Sequence, residues 1–469
     1  MTDATTPNHN GAAFADTPEY RQQLLGGPQK LAALVGIGGL IAFLILAAIY
    51  YSMGPTETHG WDATGARQPF LSFLTGYMFW TLIGLGSVFF LLIQYVTGGR
   101  WGILLRRPLE ANCKTLFVVS LPLFVVLAIT MFMGKESIYW WARHKAEHMG
   151  HHDTGEEPGV GKQTQTEPAK ASPGVRKDVV EPHLHVDAEK KIADWLFPTF
   201  AVIRGFFYFA VFGGLVWWMW SNARTAEYDP NLDVAYAARD RQKYVGSFGL
   251  FVFAVFMTMI ATDWVMSLEE TFASSMFPVI MFDNAAVSGY AVGLLTLLYF
   301  KRKGDPRFQH LFPATEQIHL GSLLLAFTLA WTYFNFSQYM LIWIGNLPEE
   351  ITYYLKRTNG GWGWYAGLAV VFHFPIPFLL LLFRRVKSNP VALRNICFML
   401  LVVIFFDEMW WIAPSLSHAH APKFYLLMDV AACVGIGGLW LATFFWILKK
   451  HPLLPTREVY LLEAYHHGH

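Results

Sequence analysis

The sequence predicts an all-α polytopic integral membrane protein with about ten transmembrane helices. Three observations carry that reading. Apolar runs of twenty or more residues recur along almost the whole 469-residue chain, which is 54% hydrophobic and 16% aromatic. Only 15% of its residues are charged, against roughly 25% in soluble domains. The runs are continuous rather than alternating, which excludes a transmembrane β-barrel. Backbone groups in lipid must pair within their own segment, so continuous apolar runs become helices.

Hydropathy places the spans at about 31–51, 70–96, 110–132, 197–220, 244–266, 277–300, 318–343, 362–382, 391–411 and 425–448. The order is a 1–30 tail, spans 1–3 over 31–132, a long loop 133–196, spans 4–10 over 197–448 and a 449–469 tail. Orientation follows from Lys and Arg in the short connections. One set holds Arg100, Arg106, Arg107 and Lys114; Arg224, Arg239, Arg241 and Lys243; Lys301, Arg302, Lys303 and Arg307; and Arg384, Arg385, Lys387 and Arg394. The opposite set holds only Arg67, Lys356, Arg357 and Lys423. Both termini are therefore expected in the cytoplasm. The N-terminal segment lacks the apolar core and small-residue cleavage site of a signal peptide, so span 1 is expected to insert uncleaved.

Loop 133–196 then falls outside. Its middle is rich in Gly, Pro and charge and reads as flexible. Its ends, SIYWWARHKAEHM and DAEKKIADWLF, suit amphipathic helices with tryptophan at headgroup depth. His144, His148, His151, His152, His183 and His185 lie in this loop but follow no fixed zinc-site spacing. Solvated histidines are the simpler reading, and the HHGH tail is read the same way.

A weak internal repeat runs through the spans. TGYMFWTLIGLGSVFFLL in span 2 resembles SGYAVGLLTLLYF in span 6, matching Tyr77 to Tyr290. TDWVMSL ending span 5 resembles FDEMWWIAPSL ending span 9, matching Asp263 to Asp407. Spans 2–5 and 6–9 would form two related four-helix bundles, with spans 1 and 10 peripheral. GIGGL occurs in both peripheral spans, at Gly36–Leu40 and Gly435–Leu439, and suggests close helix packing.

Function is sought first among Arg204, Asp263, Asp283, Asp407, Glu408 and Asp429, which lie within or at the rim of apolar spans. Each costs roughly 2.5–3.5 kcal/mol at membrane depth on the lenient scale, so each must face a partner, water or another charge. Topology puts all six in the outer half. Arg204 is expected to pair with Asp263, either as a structural ion pair or as part of a site. Mid-span His373 reads as a satisfied buried histidine or a proton carrier. His319, at the cytoplasmic edge of span 7, is a candidate for proton entry, with Tyr290, Thr296, Ser322 and Thr328 as hydroxyl relays. The two histidines sit half a bilayer apart, which argues against a bis-histidine haem.

Cys113, Cys397 and Cys433 lie far apart in apolar segments and read as buried thiols. No C-x-x-C-H, cysteine cluster, nucleotide loop or metalloprotease motif is present. A net charge of +1 offers no basic surface for nucleic acid. The chain is read as free of cofactors and metals of its own.

Two longer motifs carry a resemblance. TDWVMSLEETFASSMFPV, at the turn between spans 5 and 6, and QYMLIWIGNLPEEITYYLKR, after span 7, resemble the F-subunit branch (ActF) of the NrfD-like family of quinone-interacting membrane anchors. That branch occurs in bacterial alternative complex III, and the resemblance covers spans 2 to 10. It implies a subunit of a respiratory quinol:electron-acceptor oxidoreductase in the bacterial inner membrane, not catalytic alone. It also implies partners: a homologous NrfD-like subunit, an iron–sulfur subunit and c-type cytochromes, which hold the iron–sulfur clusters and haem c. This subunit would support quinol oxidation and conduct protons, with a quinone or menaquinone pocket as a further option; only the Asp263 region is carried over by motif. The other acids are read from their placement alone. A proton-coupled secondary transporter and a purely structural anchor are the alternatives.

Overall fold

The computed structural model describes residues 16–53, 67–143, 195–229, 231–359, 361–415 and 423–454. Among these, regular structure is helical throughout, without strands. The first span is α1 (Pro18–Met53) and the second α2 (Gln68–Thr97). The third is α3 (Arg100–Thr115), a π-helical turn Leu116–Ser120, then α4 (Leu121–Met131). α5 (Pro198–Tyr228), α6 (Leu232–Trp264) and α7 (Phe277–Arg302) are spans 4 to 6. The short α8 (Pro306–Leu311) leads into α9 (Ala314–Gly345), the seventh span, followed by α10 (Pro348–Thr358). α11 (Trp362–His373) and α12 (Pro375–Leu382) share the eighth span. α13 (Arg384–Ser388) precedes α14 (Pro390–Ile412) and α15 (Lys423–Lys449), spans 9 and 10.

Ten helical stretches are thus long and apolar enough to cross a membrane, one for each predicted span. The chain is an all-α polytopic membrane protein. The ten crossings among the described residues bring Asp16 and Leu454 to one face, here the terminal face; the other is the distal face.

Several boundaries differ from those read in the sequence. α1 begins at Pro18, not near 31, so residues 18–30 are helix rather than tail. The Thr17 hydroxyl accepts from the Tyr20 amide at 3.2 Å, and Pro18 fills the first helical position. α3 begins at Arg100 rather than 110, and α5 runs on to Tyr228. α6 starts at Leu232, where the Asn231 side chain accepts from the Asp233 amide at 3.0 Å. These are charged turns, invisible to hydropathy, that continue helices past the apolar core. Trp140 and Trp141, expected at headgroup depth, are instead buried in the main core. The rest of that loop, with its histidines, lies outside the described residues.

Prolines shape two of the spans. Pro122 cannot donate to the Val118 carbonyl, and the π turn just before it absorbs the mismatch. Ser120 ends that turn and shares a 2.9 Å hydrogen bond with Thr81 of α2. Pro375 and Pro377 follow a full break at Phe374 (φ −117°, ψ −74°), which divides span 8 near its middle.

α2 and α7 form the centre. In each, 83% of the most apolar stretch is buried, against 22% for α1. They meet through Gly86 and Gly289: a Cβ on Gly289 would lie 2.7 Å from the Ser87 nitrogen. These are the first helices of the two proposed repeats, and Tyr77 and Tyr290 are both fully buried. α1 and α15 pack along one side, as expected for peripheral helices. Their GIGGL segments cross with Gly36 against Gly438 and Gly39 against Gly435, where a Cβ on Gly36 would stand 2.8 Å from Gly438 Cα. Only glycine permits so close a backbone approach.

Replacing Gly438 with leucine should therefore separate α1 from α15. Overpacking of this kind costs about 1–3 kcal/mol. Thermal unfolding in detergent should show the loss, whereas Gly214→Leu, where a Cβ meets nothing within 4 Å, should be near neutral.

Candidate functional site

Arg204 and Asp263 form the pair expected from sequence. Arg204 Nε donates to Asp263 Oδ2 at 2.8 Å and its Nη2 to Oδ1 at 2.9 Å. Trp195 Nε1 adds a bond to Oδ1 at 2.8 Å, and the Tyr208 hydroxyl one to Oδ2 at 2.5 Å. The guanidinium donates also to the Trp195 carbonyl at 2.9 Å and lies 4.1 Å from the Trp195 ring and 4.5 Å from that of Phe200. Four donors saturate the carboxylate. The pair fixes α5 against α6.

The repeat-related acid has a different partner. Asp407 of α14 is 5% exposed, and its Oδ2 lies 2.9 Å from Nδ1 of His373, which is fully buried at the end of α11. The imidazole stacks on Trp331 with centroids 4.0 Å apart and planes 16° from parallel. Its Nε2 has no hydrogen-bond partner among the described residues. Both acids are thus paired with a base from the preceding span of their repeat. In the first repeat the base is an arginine, always charged. In the second it is a histidine, which takes and gives a proton near neutrality.

The remaining acids are single. Asp283 and Glu408 are both fully buried, and neither carboxyl has a hydrogen-bond partner among the described residues. Asp429 lies beside Ser72 of α2 and near Tyr365 of α11. Glu408 and Asp429 both come close to Cys433. They therefore share one region, between α14 and α15, with His373–Asp407 on the adjoining turn of α14. Met409, Trp362 and Ala413 form a separate apolar cluster there, flanked by Tyr365, Phe406, Trp410 and Leu426.

The cytoplasm-side relay expected from sequence does not assemble. The His319 side chain is 68% exposed and 3.8 Å from Glu316. Tyr290 donates to the Leu320 carbonyl at 2.9 Å, adjacent in sequence but on backbone. Thr296 and Thr328 donate to the carbonyls of Val292 and Leu324 in their own helices, at 2.8 and 3.0 Å. Ser322 likewise donates to Ile318 and accepts from Lys387 at 2.8 Å. Cys113 and Cys397 are buried and Cys433 half-buried, all as free thiols. Among the described residues no three His, Cys, Asp or Glu gather as a metal site.

Three charge networks escaped sequence reasoning. At the terminal end of α3, Arg106 and Arg107 each bond Glu110 at 2.8 Å, and Arg107 bonds Glu227 of α5 at 2.6 Å. Arg307 bonds Asp305 and Asp16, both at 2.8 Å. Burial works against its charge, but the two carboxylates hold its pKa above the ordinary range. On the distal face Glu269 bonds Lys356 at 2.8 Å and fully buried Arg357 at 3.0 Å. Arg357 also donates to the Trp411 carbonyl at 2.7 Å, while Phe272 stacks on Tyr353 at 3.8 Å. The two motifs that carry the family resemblance thus touch each other here. Helical i, i+3 and i, i+4 spacing was the unused signal for Arg106, Arg107 and Glu110; no local pattern signals Glu227 or Arg357.

No protein-family model matches the chain, and no curated protein matches it.

Three outcomes follow from this geometry. Arg204→Met should destabilise the protein by about 3–5 kcal/mol by leaving Asp263 buried and unpaired. Adding Asp263→Leu should recover much of that loss, read as a double-mutant cycle of unfolding in micelles. The third concerns His451, whose Nε2 lies 3.3 Å from Lys114 Nζ. Burial, then Lys114 and Arg107, push its pKa from the ordinary 6.5 down to about 4. The folded state therefore binds the proton more weakly than the unfolded one. Stability should be fully present above about pH 6.5 and fall as pH drops toward 4, and His451→Gln should flatten that slope.

Proposed function

We propose that the chain is a cofactor-free membrane subunit of a bacterial respiratory quinol:electron-acceptor oxidoreductase, of the kind found in alternative complex III, and that it handles protons through its second repeat. The buried His373–Asp407 pair carries this reading. An imidazole 2.9 Å from a carboxylate, with its other nitrogen unbonded among the described residues, can accept a proton on one side and pass one on the other. Glu408 follows Asp407 directly on α14, Asp429 lies on the neighbouring α15, and both supply further acceptors. Arg204–Asp263 is given the structural role, which moves the emphasis from the motif-matched acid to its repeat partner.

A quinol oxidised at the outer face releases two protons and so needs acceptors nearby. The Glu408 carboxyl, buried without a hydrogen-bond partner among the described residues, suits the hydroxyl of a quinone head group. When bound, the quinone supplies the two-electron chemistry. Electron transfer is assigned to the partners: an iron–sulfur subunit, c-type cytochromes and a homologous NrfD-like subunit. The chain's own residues hold and move protons. The bacterial inner membrane and cytoplasmic termini belong to the same proposal, supported by the lysine and arginine bias.

A proton-coupled secondary transporter is the second reading, and the mid-span break at Phe374 favours it, since transporters often carry discontinuous helices at the bilayer centre. Mild-detergent purification separates the two. A respiratory subunit comes out with haem- and cluster-bearing partners, a transporter alone or as a homo-oligomer.

In an assembled complex, Asp407→Asn and His373→Gln should each lower quinol oxidation at least about tenfold and change its pH profile. Asp263→Asn should instead reduce the amount of assembled complex. Full turnover by assembled Asp407→Asn across the pH range would refute the assignment.

A further inference from the structure

The terminal face carries a second type of charge site. Its buried arginines are neutralised at close range: Arg106 and Arg107 by Glu110 and Glu227, Arg307 by Asp16 and Asp305. Lys387 of α13 is not. It is 7% exposed, and its ammonium donates at 2.8 Å to the Ser322 hydroxyl, a neutral partner. Its stem lies against Gly321, where a Cβ would stand 3.0 Å from Lys387 Cγ. Lys301, at the end of α7, reaches the same place. Its Nζ donates to the Phe312 carbonyl at 2.7 Å. The Gln317 amide, turned so that its oxygen accepts from Lys301, donates to the Ser388 carbonyl at 3.2 Å and so ties the two lysines' segments together.

No described carboxylate forms an ion pair with Lys301, Lys387, Arg384 or Arg385. Asp305, four residues past Lys301, is engaged by Arg307 and Tyr20, and Glu316 lies 3.8 Å from His319. From Glu350 to Asp407 the chain contains no acidic residue at all. Arg384 and Arg385 are exposed on the same short helix. The positive bias that orients a membrane protein needs exposed cations and does not require one to be buried. A buried ammonium facing only neutral oxygens is unfavourable, so an anion from outside the chain completes this site.

We propose that Lys387, with Lys301, Arg384 and Arg385 around it, holds the phosphate of an anionic phospholipid at the terminal face. The site lies between the ends of α7, α9 and α13, where the acyl chains can run down the apolar surfaces of the spans and the headgroup meets the lysines. Basic pockets between helices at this level recognise such headgroups.

The test uses the purified full chain in nanodiscs containing either phosphatidylglycerol or phosphatidylcholine, with lipid retention read by native mass spectrometry and stability by thermal unfolding. Phosphatidylglycerol should be retained and should stabilise the protein, and phosphatidylcholine should do neither. Lys387→Met should weaken retention of phosphatidylglycerol about tenfold, the worth of one charge-assisted contact. Equal retention of both lipids, or unchanged retention by Lys387→Met, overturns the proposal. Inorganic phosphate that stabilises the protein as strongly as the lipid also overturns it, in favour of a free-anion site. Should Lys387→Met fail to fold, Arg384→Gln with Arg385→Gln alters exposed side chains only. That double variant should still lose phosphatidylglycerol severalfold, and no loss refutes the assignment.

Discussion

The cost of a charge in an apolar surrounding organises this molecule. Every buried arginine discussed above lies against a carboxylate, and those pairs decide which helices touch. Arg204 and Asp263 fix α5 to α6. Arg107 and Glu227 join the terminal ends of α3 and α5. Arg357 and Glu269 pin α10 over the turn after α6. Packing between apolar side chains supplies contact area, but in lipid it offers little preference for one helix neighbour over another. The ion pairs supply the selectivity that the apolar surfaces lack.

Within that scheme the two halves of the chain differ in one substitution of kind. At matched places in α6 and α14 each half carries an aspartate, and the preceding span carries its base, near the start of α5 for Arg204 and at the end of α11 for His373. Arginine makes the first pair permanent, with four donors on one carboxylate. Histidine makes the second reversible, with a single bond between the two groups.

Much of this was legible in the sequence. All ten spans were readable because an apolar run of twenty residues has few other uses. The Arg204–Asp263 pair was readable because a lone arginine in a span needs an acid, and the next span has one. The glycine-rich crossing of α1 and α15 was readable from a repeated pentapeptide. Charged helix extensions were missed because hydropathy stops where charge begins, although Thr17, Pro18 and Glu19 spell a helix start. Glu227 and Arg357 were missed for a different reason. Their partners lie more than eighty residues away in the chain, and no local pattern encodes that distance. The hydroxyl relay was over-read: Thr and Ser in membrane helices commonly bond their own backbone, as Thr296, Ser322 and Thr328 do here.

The pairing of α1 with α15 bears on how the protein is made. α1 emerges from the ribosome before α15, with eight further spans between them. Until then the bare glycine ridge of α1 has only lipid beside it, and its widely exposed leucines and isoleucines give it little hold on the other helices. The last helix therefore clasps the first. Without α15 the glycine ridge of α1 has no helix to pack on, and α1 is left with the bonds near its start, from Tyr299 to the Leu24 carbonyl and from Tyr20 to Asp305.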